Sequence, residues 1–190
     1  SAFGALAGFF DIILVDAPCS GEGMFRTEIA RSEWSEANTA HCSERQKRIL
    51  LDIWPALKEN GLLIYSTCTF NPAENEDNVQ WIVNQYDASV VSVPVNERWG
   101  ISQVPVKGGV GYGFHPSKLK GEGFFCVLIQ KNSQERVFTH HQRKRSSLPK
   151  LDVPSGLLKN QINYQFQEFD NQIVAVNRGK CAEVTQLLGS

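Results

Sequence analysis

The stretch that decides the fold is Asp11-Ile-Ile-Leu-Val-Asp16-Ala-Pro-Cys19, an apolar run followed by a proline and a cysteine. A continuous apolar run of this length predicts a strand that is covered on both faces by helices. A second run, Gly61-Leu-Leu-Ile-Tyr-Ser-Thr-Cys68, repeats the pattern and also ends in a cysteine. Because the carboxyl ends of strands border the ligand crevice of an open α/β sheet, we expect both cysteines to lie at such a crevice.

The residues around these runs predict alternating helices and strands. Residues 39–58 have apolar residues at helical spacing, which predicts a helix kinked at Pro55 and stopped by Gly61. Asn71 as a cap and Pro72 at the first helical position predict the start of a second helix. Further strands are predicted at Ser89–Val95 and Phe124–Gln130. This order predicts a mostly parallel α/β sheet with right-handed crossovers.

Composition describes an ordinary globular protein, with 190 residues of which 42% are hydrophobic and 21% charged. No apolar stretch approaches the ~20 residues that cross a membrane, so we expect no membrane partner. The five cysteines include no C-x-x-C pair, and no Cys and His cluster has metal-ligand spacing. We therefore expect reduced thiols, a cytoplasmic protein and no metal. The first residues contain neither an initiating Met nor a basic leader, so we expect a chain cut from a longer one.

The sequence divides into three segments. Residues 1–131 carry the α/β pattern, residues 132–156 resemble a basic linker, and residues 157–190 begin a second, small α+β domain. That last segment has alternating aromatic residues, a second apolar run and a predicted helix at 180–188. Residues 131–150 hold six basic residues and one acidic residue. This charge is typical of a nucleic-acid contact, and a solvated linker explains it equally well.

Three separated motifs resemble the NOL1/NOP2/Sun family of RNA cytosine-5 methyltransferases, in particular its RsmF-type branch acting on small-subunit ribosomal RNA. The motifs are Asp16-Ala-Pro-Cys19-Ser-Gly-Glu-Gly-Met-Phe25, Ser66-Thr-Cys68-Thr-Phe-Asn-Pro-Ala-Glu-Asn-Glu76 and Lys120-Gly-Glu-Gly-Phe-Phe125. They follow the family's order. The resemblance implies the C-terminal half of a Rossmann-like methyltransferase sheet, followed by the start of an accessory RNA-binding domain.

The resemblance also implies a reaction, the methylation of a ribosomal RNA cytosine from S-adenosylmethionine through a covalent adduct at carbon 6. In the family, the Thr-Cys cysteine attacks, which corresponds to Cys68, and the Pro-Cys cysteine assists release, which corresponds to Cys19. Asp16 would contact the cytosine edge, and Asp16 and Pro18 would lie near the cofactor. We predict further substrate contacts from Ser20, Gly21, Thr67, Arg143 and Lys144.

Several alternatives stay open. Cytosine-5 DNA methyltransferases attack with a Pro-Cys cysteine, so the two thiols could exchange roles. A catalytically incomplete RNA-binding or ribosome-assembly fragment is a rival of another class. A thiol hydrolase or redox enzyme would need a histidine near Cys68, and neither cysteine motif contains one. The family's glycine-rich cofactor loop should precede Asp11 and is absent, so we expect this chain alone to bind the cofactor weakly and to turn over little or nothing. We also expect a monomer.

Overall fold

The computed structural model describes residue 3 and residues 6–133, 150–151, 153–169, 172–181 and 184. The chain forms two compact units. Residues 7–135 make up the larger unit, and residues 136–190 together with residues 1–6 make up the smaller one.

The larger unit is built on a six-stranded sheet, against which two of its helices pack to form the core. Its strands are β1 (Phe10–Asp16), β2 (Leu57–Thr67), β3 (Ala88–Val90), β4 (Ser102–Val106), β5 (Gly109–Phe114) and β6 (Phe124–Lys131). Its helices are α1 (Glu28–Glu33), α2 (Glu36–Ile53) and α3 (Glu76–Gln85). The strand order is β1-β2-β6-β5-β4, and β3 also pairs with β6. In this mixed α/β arrangement, the loops that carry the two cysteines follow the carboxyl ends of the neighbouring strands β1 and β2.

The prediction of a mostly parallel sheet is wrong. Only β1 and β2 pair in parallel, and the other pairings of this sheet are antiparallel. One reason is that β6 runs antiparallel to both β2 and β3. The other is a β4–β5 hairpin, not predicted from the sequence, which pairs with β6 through β5. Its turn is Lys107-Gly108, where Gly108 adopts a φ of 83° that favours glycine. Because Pro105 lies in β4 and three glycines lie in β5, neither strand contains the apolar run that predicts a strand.

The boundaries of the predicted helices also differ. Helix α2 ends at Ile53, and Pro55 lies in a short 3-10 turn after it, so the predicted kink is wrong. Gly61 lies inside β2 rather than after a helix. Asn71 does not cap α3, because its side-chain oxygen accepts the backbone N–H of Ala73 in a local turn. The predicted strand at 89–95 is shorter, ending at Val90.

Strand β1 is buried on one face only, against the prediction. Val15 lies in the core, whereas Ile12 and Leu14 on the opposite face are 60% and 67% exposed. Side chains alternate along a strand, and the core helices cover only the face that carries Val15. The expected double coverage is therefore wrong for the part of the chain that the structure describes.

The core forms where α2 and α3 cover the centre of the sheet. Leu50 and Trp54 contribute from the α2 side, and Val79 and Ile82 from α3, as their helical spacing predicts. They pack against apolar residues of β2 and β6, all nearly inaccessible to solvent. Burial of this surface provides the main stabilisation of the unit.

Lys131 is not part of a basic surface, although it was counted in the basic segment. Its side chain is buried at the end of β6, and its Nζ donates to the carbonyl oxygens of Trp54 and Leu57 at 3.0 and 3.1 Å. The ammonium also lies 5.6 Å from the centroid of the Trp54 ring. These contacts compensate its loss of hydration.

The smaller unit contains a three-stranded antiparallel sheet. Its strands are β7 (Lys150–Leu151), β8 (Tyr164–Phe169) and β9 (Gln172–Asn177), in that order. The buried Phe166 and Val176 lie on β8 and β9, respectively. The predicted helix at 180–188 falls largely outside the described residues.

Truncation of Ile82 tests the described core. Ile82 is fully buried, so Ile82→Ala should lower the free energy of unfolding by about 2–5 kcal/mol through lost burial and a residual cavity. The matched change Ile29→Ala, at a side chain that is 70% exposed, should alter it by less than about 0.5 kcal/mol. Denaturant titration measures both, and equal effects would contradict the packing described.

Candidate active site

The parallel pair of strands β1 and β2 brings the two cysteine loops together. Asp16 at the end of β1 pairs in register with Ser66 near the end of β2. The pairing extends one residue further, because the Ala17 N–H donates to the Ser66 carbonyl at 2.9 Å. The loops that follow carry Cys19 and Cys68, so the predicted meeting of the two cysteines at the strand ends is observed.

The two sulfur atoms are in direct contact. Cys19 Sγ and Cys68 Sγ lie 2.8 Å apart, a distance at which one thiol can donate to the other sulfur. The backbone N–H of Cys68 also donates to Cys19 Sγ, at 3.2 Å. Both side chains are half-buried, and both thiols are free. The pair therefore forms a hydrogen-bonded dithiol.

Cys68 is the more acidic member of the pair. The hydrogen bond from the Cys19 thiol lowers the pKa of Cys68 from 9.0 to about 7, against the opposing effects of burial and of the nearby Asp16 and Glu74 carboxylates. The same hydrogen bond, with burial, raises the pKa of Cys19. Once the pair has lost one proton, the remaining proton therefore resides mainly on Cys19. Cys68 is the sulfur that such an arrangement makes nucleophilic.

Asp16 and Pro18 flank the first loop. The Asp16 carboxylate is exposed at the end of β1, and its Oδ1 accepts the Ser66 hydroxyl at 3.0 Å. Pro18 has no N–H, and its carbonyl accepts Gln46 Nε2 at 2.9 Å. The Pro18 ring is therefore the part of this residue that remains for a ligand contact.

The other residues proposed to contact substrate differ in their surroundings. The Ser20 side chain is buried and bonds Glu74 and Thr69. Thr67 is fully buried, and its hydroxyl donates to Asn75 Oδ1 at 2.6 Å. Gly21 adopts a φ of 80°, and a Cβ there would meet no atom within 4 Å. Arg143 and Lys144 lie outside the described residues.

The third motif packs directly beside the cysteines. The Gly23 N–H donates to the Cys68 carbonyl at 2.9 Å, and the Gly123 N–H donates to the Gly23 carbonyl at 2.8 Å. A Cβ on Gly23 would lie 2.3 Å from the Gly123 oxygen, so only glycine permits this approach. Next to it, Phe70 stacks on His115 with ring centroids 4.7 Å apart. All three motifs of the sequence analysis thus converge on the dithiol.

A buried polar network behind the dithiol was missed by the sequence analysis. Glu74, Gln46 and Asn78 have no exposed surface, and they are linked to one another by hydrogen bonds. Glu74 also accepts from Ser20, next to Cys19. Gln46 could have indicated this network, because it is a polar residue on the same buried face of α2 as Leu50 and Ile53.

The described residues were also searched for a metal site and for a membrane-spanning helix. These residues contain no group of three or more His, Cys, Asp or Glu side chains able to hold a metal ion. Within the same residues, no helix is both long and apolar enough to cross a membrane.

The fold and the paired strand-end cysteines define a Rossmann-like methyltransferase sheet. Comparison with solved structures agrees, confirming the predicted fold class. A methyltransferase homolog protein from Pyrococcus horikoshii superposes with a TM-score of 0.52 at 27% identity, covering 64% of this chain and 39% of that one. NSun6 from Pyrococcus horikoshii with SFG gives a TM-score of 0.54 at 23% identity, over 70% of this chain and 33% of that one, a likeness in fold.

Sequence comparison then identifies the family. Residues 3–130 match the family described as 16S rRNA methyltransferase RsmB/F, and the chain belongs to it. The ribosomal RNA small subunit methyltransferase F of Salmonella arizonae is 36% identical over 152 residues, 80% of this chain and 29% of that protein. Its counterpart in Klebsiella pneumoniae is 33% identical over 151 residues, 79% and 29% of the two chains. This chain therefore spans less than a third of these relatives' length.

The acidity of Cys68 can be measured by alkylation. Because the thiolate reacts, the rate at Cys68 should level off above pH 7 and fall about tenfold per pH unit well below it. Burial raises the pKa of Cys126, so its rate should keep rising above pH 9 and provides an internal control. Peptide mass spectrometry after timed iodoacetamide treatment follows each site. A Cys68 rate that rises only above pH 8.5 would contradict the described pair.

Proposed function

We propose that this chain carries the dithiol of an RNA cytosine-5 methyltransferase that modifies a cytosine of ribosomal RNA, with S-adenosylmethionine as methyl donor. The observation that carries the proposal is the Cys19–Cys68 contact of 2.8 Å, with the lowered pKa of Cys68. Membership in a 16S rRNA methyltransferase family supports the substrate class. Because the chain spans 29% of its relatives, activity belongs to a polypeptide of their length.

Cys68 is the attacking residue in this proposal. Carbon 5 of cytosine is a poor nucleophile, and addition of the Cys68 thiolate to carbon 6 moves the ring π electrons so that carbon 5 becomes enamine-like. S-adenosylmethionine, when bound, supplies an electrophilic methyl group. Transfer of that methyl group to carbon 5 would break its bond to the sulfonium sulfur and release S-adenosylhomocysteine, and the proton on carbon 5 would then pass to water.

Cys19 assists the release of the product. Loss of the carbon 5 proton restores the ring double bond as the bond between Cys68 Sγ and carbon 6 breaks. The departing sulfur is stabilised by the Cys19 S–H, which lies at hydrogen-bond distance from it. The Cys19 pKa is raised, so this thiol holds its proton at neutral pH and can donate. Covalent trapping distinguishes this assignment from the exchanged one, in which Cys19 attacks.

Asp16 and Pro18 would hold the ligands at the end of β1. The exposed Asp16 carboxylate is fixed by Ser66 and can accept a hydrogen bond from the amino group of cytosine. The Pro18 ring offers an apolar surface beside it to the cofactor. We propose that Gly21 lets the RNA approach the loop closely and that Ser20 and Thr67 act through their internal partners. Arg143 and Lys144 would contact phosphates.

Covalent trapping tests the assignment of the two thiols. In a polypeptide of the relatives' length, Cys68→Ala should abolish the protein–RNA adduct because the carbon–sulfur bond cannot form. Cys19→Ala should retain or accumulate the adduct because release is impaired. Denaturing electrophoresis with labelled ribosomal RNA and S-adenosylmethionine measures both. Cys126→Ala, another half-buried thiol of the same unit, is the control and should behave as wild type.

Two outcomes would reject parts of the proposal. An adduct lost in Cys19→Ala but retained in Cys68→Ala would exchange the roles of the cysteines. Salt-dependent RNA binding without adduct or methyl transfer would favour the rival, a catalytically incomplete RNA-binding or ribosome-assembly protein. RNA with fluorine at carbon 5 of the cytosine makes the adduct easier to detect. Such RNA has no carbon 5 proton to lose, so the bond to Cys68 is not released and the adduct persists.

A further inference from the structure

The two neighbours of Cys19 in the sequence, Pro18 and Ser20, form backbone hydrogen bonds with two buried side chains that contact each other. The Pro18 carbonyl accepts Gln46 Nε2 at 2.9 Å, and the Ser20 N–H donates to the Glu74 carboxylate at 3.0 Å. Gln46 Nε2 also donates to Glu74 Oε2 at 2.8 Å, which closes the arrangement. We propose that this Gln46–Glu74 bridge positions the Cys19 sulfur against Cys68, making both bridge residues positioning residues for the dithiol.

Glu74 connects the two cysteine loops directly. It belongs to the segment that follows Cys68, and it accepts the N–H and the hydroxyl of Ser20 in the loop that carries Cys19. Its own backbone is held as well, because its carbonyl accepts the Tyr65 hydroxyl at 2.7 Å and Asn78 Nδ2 at 3.1 Å. A carboxylate held at both its side chain and its backbone fixes the distance between the loops.

Gln46 is held in one orientation. Its Oε1 accepts Asn78 Nδ2 at 2.7 Å, so its Nε2 must face Pro18 and Glu74 and can give one hydrogen to each. Asn78 is oriented in turn by its Nδ2 group, which also donates to the Glu74 carbonyl at 3.1 Å. Every polar atom of the Gln46 amide thus has a partner, and the amide cannot turn over without losing them.

The positioning role of Glu74 and the direct effect of its charge change the Cys68 pKa in opposite directions. The groups that act on the Cys68 thiol are Cys19, the Asp16 and Glu74 carboxylates and its own backbone N–H. Of these, the Glu74 charge raises the Cys68 pKa, whereas the hydrogen bond from Cys19 lowers it. Removing the Glu74 charge alone would lower the Cys68 pKa. Loss of positioning would raise it, because the Cys19 hydrogen bond is weakened.

The pH dependence of Cys68 alkylation therefore tests the bridge. Glu74→Gln keeps the volume of the side chain but turns an NH₂ group toward donors of Ser20 or Gln46. We expect the Cys68 pKa to rise by at least one unit, which at pH 7 lowers the alkylation rate about five-fold. Gln46→Met keeps length, changes no charge and removes both donors, and it should shift the pKa in the same direction. Ser20→Ala, which leaves the N–H bonds, should give a smaller rise.

The matched control is Asp77→Asn, which removes an exposed carboxylate three residues beyond Glu74. It should leave the Cys68 pKa unchanged. Circular dichroism and thermal unfolding establish that each variant is folded. If Glu74→Gln does not fold, Gln46→Met and Ser20→Ala decide the question. An unchanged or lowered Cys68 pKa in folded Glu74→Gln or Gln46→Met would overturn the proposal.

The catalytic meaning of the bridge rests on the proposed function, but its test does not. Alkylation of Cys68 uses the chain as it is and needs neither RNA nor S-adenosylmethionine. A raised pKa in the bridge variants combined with absence of an RNA adduct would support the bridge and reject the proposed reaction. A Cys68 adduct combined with an unmoved pKa would support the reaction and reject the bridge.

Discussion

The parallel pairing of β1 with β2 is the constraint on which the rest of the site depends. It places Asp16 opposite Ser66 and continues to Ala17, so the two chains leave the sheet as neighbours. A shift of one residue would turn every side chain of β1 to the other face and move Val15 out of the core. The register is therefore fixed by the hydrophobic core, and the sulfur contact at the strand ends follows from it.

The site is stabilised by polar contacts that are costly to leave incomplete. Buried hydrogen bonds contribute about 1 kcal/mol each, but an unpaired buried group costs more than a bond gains. Thr67, Asn75 and Thr69 form one chain of contacts behind Cys68, and the Gln46–Glu74 bridge forms another behind Cys19. A sheet and helices joined by apolar packing alone would tolerate small shifts of these loops. Directional bonds at both loops confine them to one arrangement.

The sequence alone supports the strands and the location of the cysteines, because long apolar runs with a motif at their end depend on local pattern. It did not predict the β4–β5 hairpin, whose short strands contain Pro105 and several glycines and gain their stability from pairing with β6. The start of α3 was misplaced because the Asn71 turn and a helix cap use the same residue types. The role of Glu74 was not predicted, because only tertiary contacts show that its carboxylate turns inward.

The two thiols act as one titrating unit, and this affects how the roles of the cysteines are separated. The Asp16 and Glu74 carboxylates both raise the Cys68 pKa, so the acidity of Cys68 depends on the hydrogen bond from Cys19. A substitution at Cys19 therefore removes two things at once, the proton that assists release and the bond that keeps Cys68 ionised. Slower attack and slower release act in opposite directions on the amount of adduct. Replacing Cys19 raises the pKa of Cys68, so adduct levels in such a variant should be compared at a pH above that raised value. There the attack is no longer limited by ionisation of Cys68, and any excess of adduct results from slower release alone.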